Sequence, residues 1–206
     1  MLTRKIAVFV GSLRKESINR MMANASAKFA PASLELEIIE LGYLAMRNQD
    51  FDDEGRPPNS WTTFRQQVSA FDGVLFVTPE YNRSMPAVLK NAPDMASRPY
   101  FQSVWNGKPG AVISVSPSLL GGFGANSHLR QSLVALNVPC LAQPEVYIGN
   151  VFHVFDAGRE FVNDKTREFL GKFMITFADW LEANAANTPS TTRKSIRAGE
   201  RRILSA

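Results

Sequence analysis

A single junction sets the architecture of this chain: Ile6-Ala7-Val8-Phe9-Val10, followed directly by Gly11-Ser12-Leu13-Arg14-Lys15-Glu16-Ser17-Ile18-Asn19-Arg20. The five apolar residues have the length and composition of a buried strand in a parallel sheet. The strand ends at Gly11, and a helix is predicted to begin at about Ser17, since serine is a leading N-cap residue. A strand that passes through a short polar loop into a helix is the first half of a βαβ unit.

The polar groups of this loop suit a phosphate. Ser12, Ser17 and Asn19 offer hydroxyl and amide groups, Arg14 and Lys15 are cations, and the helix N-terminus adds backbone N–H donors. Neither G-x-G-x-x-G nor G-x-x-x-x-G-K-[ST] follows the strand, so a terminal monoester phosphate fits better than a buried pyrophosphate. An ordinary βα turn with a serine N-cap is the alternative.

A second polar loop follows the apolar strand predicted at 73–77, and it reads Thr78-Pro79-Glu80-Tyr81-Asn82-Arg83-Ser84-Met85-Pro86. Its two prolines and its asparagine favour an extended, turn-rich shape whose backbone groups are not paired in a helix. Such a loop can present amide donors and carbonyl acceptors to a planar heterocycle, with the ring of Tyr81 beside it. The alternative is a tight loop with a packed tyrosine.

A third loop, Ser114-Val115-Ser116-Pro117-Ser118-Leu119-Leu120-Gly121-Gly122, follows the fourth predicted strand. Adjacent glycines permit a close backbone approach, and the serines supply hydrogen-bond donors. We expect Leu119 and Leu120 to cover a bound ring or a neighbouring subunit. A plain glycine-rich turn is the alternative.

Apolar strands alternate with helical patterns along the chain. Strands are predicted at 4–10, 34–40, 73–77, 110–115 and 140–148, and helices at about 17–30, 59–70, from 86, 123–136 and 162–184, with a polar connection at 47–59. This alternation predicts an α/β three-layer sandwich with a five-stranded parallel sheet in the order 2-1-3-4-5. In that order the first and third strands are neighbours, so the first two polar loops meet at the carboxyl edge.

Composition predicts one domain, residues 1–187, and a basic, mobile tail, residues 188–206. With 206 residues, of which 45% are apolar, the chain can bury a sizeable core. The tail has five Lys and Arg residues against one Glu, which leaves 18 charges of each sign in residues 1–187. A neutral body argues against nucleic-acid binding.

Other residue types exclude further classes of function. No stretch approaches the roughly 20 apolar residues of a membrane span, and no signal-peptide pattern begins the chain, so we expect a cytoplasmic protein without membrane contact. Cys140, the one cysteine, is expected in a strand and forms no intrachain disulfide. His128 and His153 are expected to be structural, and no metal-ligand motif is present. Glu80 is expected to be a surface or interface carboxylate rather than a general base.

Together the motifs resemble the NADPH-dependent FMN reductases of flavodoxin-like fold, in particular their bacterial chromate- and quinone-reducing branch. The matching segments keep their order across residues 4–149. They are Gly11-Ser-Leu-Arg-x-x-Ser-x-Asn19, Pro79-Glu-Tyr-Asn-x-Ser-x-Pro86, Leu89-Lys-Asn-Ala92, Ser97-Arg98-Pro99, Gly107-Lys-Pro109, Gly121-Gly122, His128-Leu-Arg-Gln131 and Gln143-Pro-Glu145.

The resemblance implies bound FMN, NADPH as co-substrate, and no catalytic side chain, because the flavin carries the chemistry. It implies that the first loop holds the FMN phosphate and that residues 79–82 and 114–122 border the isoalloxazine ring. The predicted cofactor-binding residues are Ser12, Arg14, Ser17, Ile18, Asn19, Pro79, Glu80, Tyr81, Asn82, Ser114, Val115, Ser116 and Gly121.

The implied activity is an NAD(P)H oxidoreductase with two hydride transfers, from NADPH to flavin N5 and then to a quinone, flavin, azo compound or metal oxyanion. A homodimer or homotetramer with the site near the interface is implied too. The segment 89–99 and the aromatics Tyr100, Phe101 and Trp105 form either an apolar interface patch or core packing.

One segment departs from the family pattern, because Pro93-Asp94-Met95 replaces Ile-Asp-Trp. Proline removes a helix donor, so we expect a kink near Ala92 and a wider substrate-facing wall.

Two other functions stay open. The first is a flavodoxin-type electron carrier without its own NAD(P)H activity, although carriers are usually acidic and lack the loop arginine. The second is an interaction protein that keeps the fold without the cofactor.

Overall fold

The computed structural model describes residues 3–186, and the predicted tail at 188–206 lies outside them. The strands are β1 (Arg4–Val10), β2 (Leu34–Ile39), β3 (Gly73–Thr78), β4 (Gly110–Val115) and β5 (Val146–Ile148). The α-helices are α1 (Ile18–Phe29), α2 (Gln49–Asp53), α3 (Asn59–Ser69), α4 (Ala87–Ala96), α5 (Phe123–Ala135) and α6 (Asp164–Ala186), and a 3₁₀ turn spans Val151–His153.

The five strands form one parallel sheet in the order β2-β1-β3-β4-β5, which confirms the predicted topology. β1 lies between β2 and β3, with Val8 opposite both Ile38 and Leu75. The loops that follow β1, β3 and β4 therefore leave the same edge of the sheet side by side. This edge is where open α/β sheets bind their ligands.

An apolar core covers each face of the sheet, as continuous apolar strands require. On one face, α1 and α6 cover side chains such as Val8 and Leu75. On the other, Phe9 and Phe76 are fully buried, and their ring centroids lie 5.2 Å apart. Trp105 is fully buried on that second face and donates its ring N–H to the carbonyl of Pro93 at 3.0 Å.

The fifth strand is shorter than expected. Only Val146–Ile148 pairs continuously with β4, whereas Cys140 forms an isolated bridge with Gly110. Pro139 and Pro144 flank the intervening residues, and proline cannot donate to a sheet ladder. The strand predicted at 140–148 is therefore interrupted before β5 begins.

The connection predicted at 47–59 contains the short helix α2. Its N-cap Asn48 accepts a hydrogen bond from the N–H of Asp50 at 3.1 Å. Asp52 of α2 forms two hydrogen bonds of 2.9 Å with Arg65 of α3, and both side chains are largely buried. A distant side chain thus stabilises a helix that is too short to form alone.

Helix α4 continues through Pro93 to Ala96. Met95 is fully buried among core side chains. The wider substrate-facing wall stays a prediction. The aromatic residues after α4 divide between the two alternatives, because Trp105 is in the core whereas Tyr100 and Phe101 are exposed. Among residues 3–186, no helix has the length and apolar character needed to cross a bilayer.

Candidate active site

The loops after β1, β3 and β4 enclose a cavity of about 210 Å³ at the carboxyl edge of the sheet. Its lining consists of Ser12, Arg14, Ser17, Ile18, Asn19, Pro79, Glu80, Tyr81, Val115, Ser116 and Pro117. Ten of the thirteen predicted cofactor-binding residues are in this lining. We refer to residues 11–17 as the first loop, 78–86 as the second loop and 116–122 as the third loop.

The first loop and the start of α1 have the geometry expected of an anion site. Ser17 is the N-cap of α1, and its hydroxyl accepts a hydrogen bond from the N–H of Arg20 at 3.2 Å. Arg14 belongs to the cavity lining, so a cation and a helix N-terminus share one small space. This arrangement favours a ligand with a terminal dianion.

Gly11 brings the first loop against the second. Its N–H donates to the carbonyl of Val77 at 2.9 Å, which extends the β1–β3 pairing by one residue. A Cβ atom at this position would lie 2.9 Å from Cδ of Pro79. Only glycine permits this approach, which sets the spacing of the two loops.

Asn19 supplies an unsatisfied polar group in the cavity wall. The residue is only 5% exposed, and its Oδ1 has no hydrogen-bond partner within the described part of the chain. Buried polar groups are normally paired, so an orphaned atom in a cavity wall fits a polar ligand. The amide can rotate to present either its oxygen or its NH₂ group, which matches a ribityl hydroxyl or a phosphate.

The second loop closes on itself as a tight turn. The N–H and the carbonyl of Tyr81 pair with the carbonyl and the N–H of Ser84 at 2.9 and 3.0 Å. Asn82 and Arg83, at the centre of the turn, have φ angles of 50° and 68°, as in a type I′ turn. The backbone N–H of Tyr81 is therefore already paired and is not available to a ligand, although its ring is half exposed at the cavity.

Two side-chain contacts hold the second loop on α5. A carboxylate oxygen of Glu80 accepts a hydrogen bond from the N–H of Ala125, and Nδ1 of His128 lies 3.0 Å from the hydroxyl of Ser84. Glu80 thus anchors the loop to the first turn of a helix. The sequence predicted a surface or interface carboxylate and did not indicate this contact. His128 is exposed and contacts the loop from outside, and His153 is exposed too.

The third loop contributes fewer of the predicted groups. Ser114 lies in β4 with its hydroxyl 3.3 Å from both the amide of Asn126 and the carbonyl of Val146, so it is turned away from the cavity. Gly121, with φ of 60°, packs against β5, where a Cβ atom would lie 2.6 Å from the carbonyl carbon of Tyr147. With Asn82, these are the three predicted residues outside the lining.

Pro117 lines the cavity although the sequence analysis did not select it. A proline side chain offers neither a hydrogen-bond donor nor a charge to a ligand. The position of Pro117 next to Ser116 was therefore the one feature of the sequence that could have indicated it as a lining residue. Leu119 and Leu120 are strongly exposed and lie outside the lining, so neither covers the cavity within this single chain.

Burial shifts the ionisation of two groups that lie towards opposite ends of β4. It raises the pKa of Tyr147 to about 12, assisted by a hydrogen bond with Glu145. Burial also raises the pKa of the Cys140 thiol, while the charge of Arg130 opposes that shift. Both side chains are therefore neutral near pH 7.

A larger cavity of about 360 Å³ lies beside α4, between Arg47, Lys90 and Arg98. None of the residues of the first or third loop lines it. It therefore lacks the first-loop groups and the orphaned asparagine of the smaller cavity, although Ala87, the first residue of α4, lines it.

Comparison with known proteins identifies the family of the chain. The family model of the NADPH-dependent FMN reductases matches residues 4–153, which include all three loops and the whole sheet. The chain belongs to this family. It is accordingly an NAD(P)H-dependent oxidoreductase of the FMN and quinone reductase type, with FMN as cofactor and NAD(P)H as co-substrate.

Individual relatives cover nearly the whole described chain. A quinone reductase of Pseudomonas putida is 54% identical over 182 residues, which are 88% of this chain and 96% of that protein. A 2-hydroxy-1,4-benzoquinone reductase of a Burkholderia species is 46% identical over 177 residues, 86% of this chain and 96% of that protein. Among solved structures, the flavoenzyme NAD(P)H:(acceptor) oxidoreductase FerB of Paracoccus denitrificans superposes with a TM-score of 0.82 at 37% identity, covering 88% of this chain and 99% of FerB.

Proposed function

We propose that this enzyme carries electrons from NADPH to small quinones through FMN held in the cavity between the three loops. The observation that carries the proposal is the orphaned amide of Asn19 in a wall that also contains Arg14 and the N-terminus of α1. Bound FMN would supply the redox chemistry, the transfer of a hydride at N5 from the nicotinamide to the acceptor, and a proton from solvent would complete the reduction of a quinone.

We assign the FMN phosphate to the first loop. Ser12 and Ser17 contribute hydroxyl groups, Arg14 a charge-assisted hydrogen bond, and Asn19 its amide. The first turn of α1 adds the electrostatic preference of a helix N-terminus for an anion. Ile18 contributes apolar surface to the same wall.

We assign the isoalloxazine ring to the space between the second and third loops. Pro79, Glu80 and Tyr81 would border one edge, and Val115 and Ser116 the other. Because the turn at Tyr81–Ser84 is closed by its own hydrogen bonds, the shape of this wall does not depend on contact with a ring. Pairing of Glu80 with α5 keeps the wall in place.

We propose the electron acceptor as a chemical class, small quinones. The named activities of the Pseudomonas putida and Burkholderia relatives favour a quinone. Free flavin, azo compounds and metal oxyanions are further acceptors that an open flavin edge admits.

We also propose one catalytic domain over residues 1–187, working in the cytoplasm.

We further propose that the enzyme is a homodimer or homotetramer with its site near the interface. The exposed side chains of Leu119, Leu120, Tyr100 and Phe101 support this proposal, since large exposed apolar groups commonly mark contact surfaces.

The phosphate assignment is tested by substituting Arg14. Arg14→Ala should weaken FMN affinity by about 1.5–3 kcal/mol, the magnitude of a charge-assisted hydrogen bond. Lys15→Ala is the matched control, because it removes the same charge from an exposed neighbour that does not line the cavity. Titration of the cofactor-free protein with FMN, followed by flavin fluorescence, measures the dissociation constants of both variants. Equal affinities for Arg14→Ala and the wild type would show that the phosphate binds elsewhere.

The reaction is tested by anaerobic addition of NADPH to the FMN-loaded protein, followed by a quinone. The flavin absorbance should bleach on the first addition and recover on the second. A flavin that stays oxidised in NADPH would contradict the proposed electron donor.

A further inference from the structure

Beyond the cavity, residues 154–162 form a tight hairpin after the 3₁₀ turn. The N–H of Val162 donates to the carbonyl of Val154 at 2.9 Å, and the N–H of Asp156 donates to the carbonyl of Glu160 at 3.0 Å. At the tip, the N–H of Arg159 donates to the carbonyl of Asp156, and Arg159 has a φ angle of 68°. A non-glycine residue in this region of φ is uncommon, so the surrounding contacts fix the tip.

The hairpin is packed against α1. The ring of Phe161 meets that of Phe29 edge-on, with 5.1 Å between centroids, and Phe155 packs on Phe161 at 5.2 Å. Ile18 and Met21, near the other end of α1, contact the same apolar cluster. The hairpin therefore has an apolar base on α1, and its tip is directed by that packing.

At the tip, the guanidinium of Arg159 forms an ion pair with the carboxylate of Glu16 in the first loop. Glu16 stands directly before Ser17, the N-cap of α1, and two residues after Arg14. An unpaired carboxylate at this place would repel the dianion that the first loop is assigned to hold. Glu16 and Arg159 are both exposed, so this repulsion acts through solvent and is modest.

We propose that Arg159 is a positioning residue of the phosphate site, which neutralises Glu16 and holds its carboxylate away from the FMN phosphate. This inference rests on the proposed placement of the phosphate in the first loop. Arg159 acts through Glu16 and contributes to retention of the cofactor, and the chemistry at the flavin ring does not depend on it.

The test is a double-mutant cycle on FMN binding to the cofactor-free full chain at low salt. Arg159→Ala should weaken FMN binding about threefold to tenfold, the range of a partly exposed charge pair. Glu16→Gln should bind FMN as tightly as the wild type or more tightly. The double variant Glu16→Gln with Arg159→Ala should regain the wild-type dissociation constant for FMN. Arg159→Lys should recover most of the loss, because the charge is restored.

Two controls separate this role from a general loss of charge or of packing. Arg56→Ala removes one exposed cation that pairs with Glu54, far along the chain from the first loop, and should leave FMN binding unchanged. Riboflavin, which lacks the phosphate, should bind Arg159→Ala and the wild type equally. The loss on Arg159→Ala should also shrink at high salt, since exposed charges are screened.

An Arg159→Ala variant with the wild-type FMN constant, or a double variant as weak as Arg159→Ala alone, would overturn the inference. An equal loss for riboflavin would overturn it as well, because the effect would then not involve the phosphate. Wild-type protein that binds no FMN would overturn the placement of the cofactor itself, which distinguishes the two failures.

Discussion

Glu80 is joined to Ala125 by a hydrogen bond of 3.1 Å from the backbone N–H of the helix to the carboxylate. This contact connects the second loop to the first turn of α5, where backbone N–H groups have no partner inside the helix. It therefore satisfies a helix terminus and fixes the cavity wall at the same time.

Replacing Glu80 with alanine should lower the free energy of unfolding by about 1 kcal/mol, the usual effect of losing a helix N-terminal acceptor. It should also weaken FMN binding, because the second loop loses its attachment to α5. Urea denaturation and flavin titration measure the two effects. Glu54→Ala is the control, since Glu54 is an exposed carboxylate that pairs with Arg56. Equal stability losses in the two variants would contradict a specific role for Glu80.

Gly121 should tolerate alanine much less well than Gly107. Both have positive φ angles, 60° and 73°, so a side chain at either position adds about 1–2 kcal/mol of backbone strain. At Gly107 no atom lies within 4 Å of the added Cβ, whereas at Gly121 the Cβ would lie 2.6 Å from the backbone of Tyr147. Gly121→Ala should therefore be less stable than Gly107→Ala by about 1–3 kcal/mol, the usual effect of overpacking. Thermal and urea unfolding of both variants test this, and indistinguishable midpoints would contradict it.

Alanine substitutions of Asn19 and Asn91 should have opposite effects on stability and on FMN affinity, although both residues are buried asparagines. The amide of Asn91 donates to the carbonyl of Ala45 at 3.0 Å and accepts from the N–H of Arg47 at 2.8 Å, whereas Oδ1 of Asn19 has no partner in the described chain. Asn91→Ala should thus destabilise the protein by about 2 kcal/mol with little effect on FMN affinity. Asn19→Ala should leave the stability of the cofactor-free protein within about 0.5 kcal/mol and weaken FMN binding roughly tenfold.

Parallel denaturation and flavin titrations on these two variants decide the matter. If Asn19→Ala were the less stable of the two and bound FMN normally, Asn19 would be a structural residue.

The raised pKa of Tyr147 predicts a stability change at alkaline pH. The folded protein binds the phenolic proton up to about pH 12, while the unfolded chain releases it near pH 10. The contribution of the protonated Tyr147 phenol to the free energy of unfolding is therefore fully present below about pH 10. It is lost as the pH rises through about 12. The difference in urea midpoint between wild type and Tyr147→Phe should shift in favour of the variant over this interval. A constant difference from pH 9 to pH 12 would contradict burial of the phenol.

The sequence predicted those parts of the fold and site that depend on neighbouring residues. The strand before Gly11, the N-cap at Ser17 and the polar loop between them follow from local composition, and the structure has all three. The sheet order was predicted as well, because alternating strands and helices leave few topologies open. The role of each lining residue in holding FMN stays a prediction.

Features that depend on distant contacts were not predictable. Helix α2 forms because Asp52 pairs with Arg65, which no local pattern shows. The turn at Asn82 and Arg83 has two positive φ angles without a glycine, so its usual signal is absent. Ser114 was selected as a ligand group although β4 is buried on both faces, and an all-buried strand gives no alternation from which to infer the direction of a side chain.

The turn from Tyr81 to Ser84 is held by hydrogen bonds between its own backbone groups. Its shape therefore follows from the chain itself and needs no contact with a flavin. The entropy of ordering these residues is lost during folding and not during binding, which favours high affinity for a planar ligand.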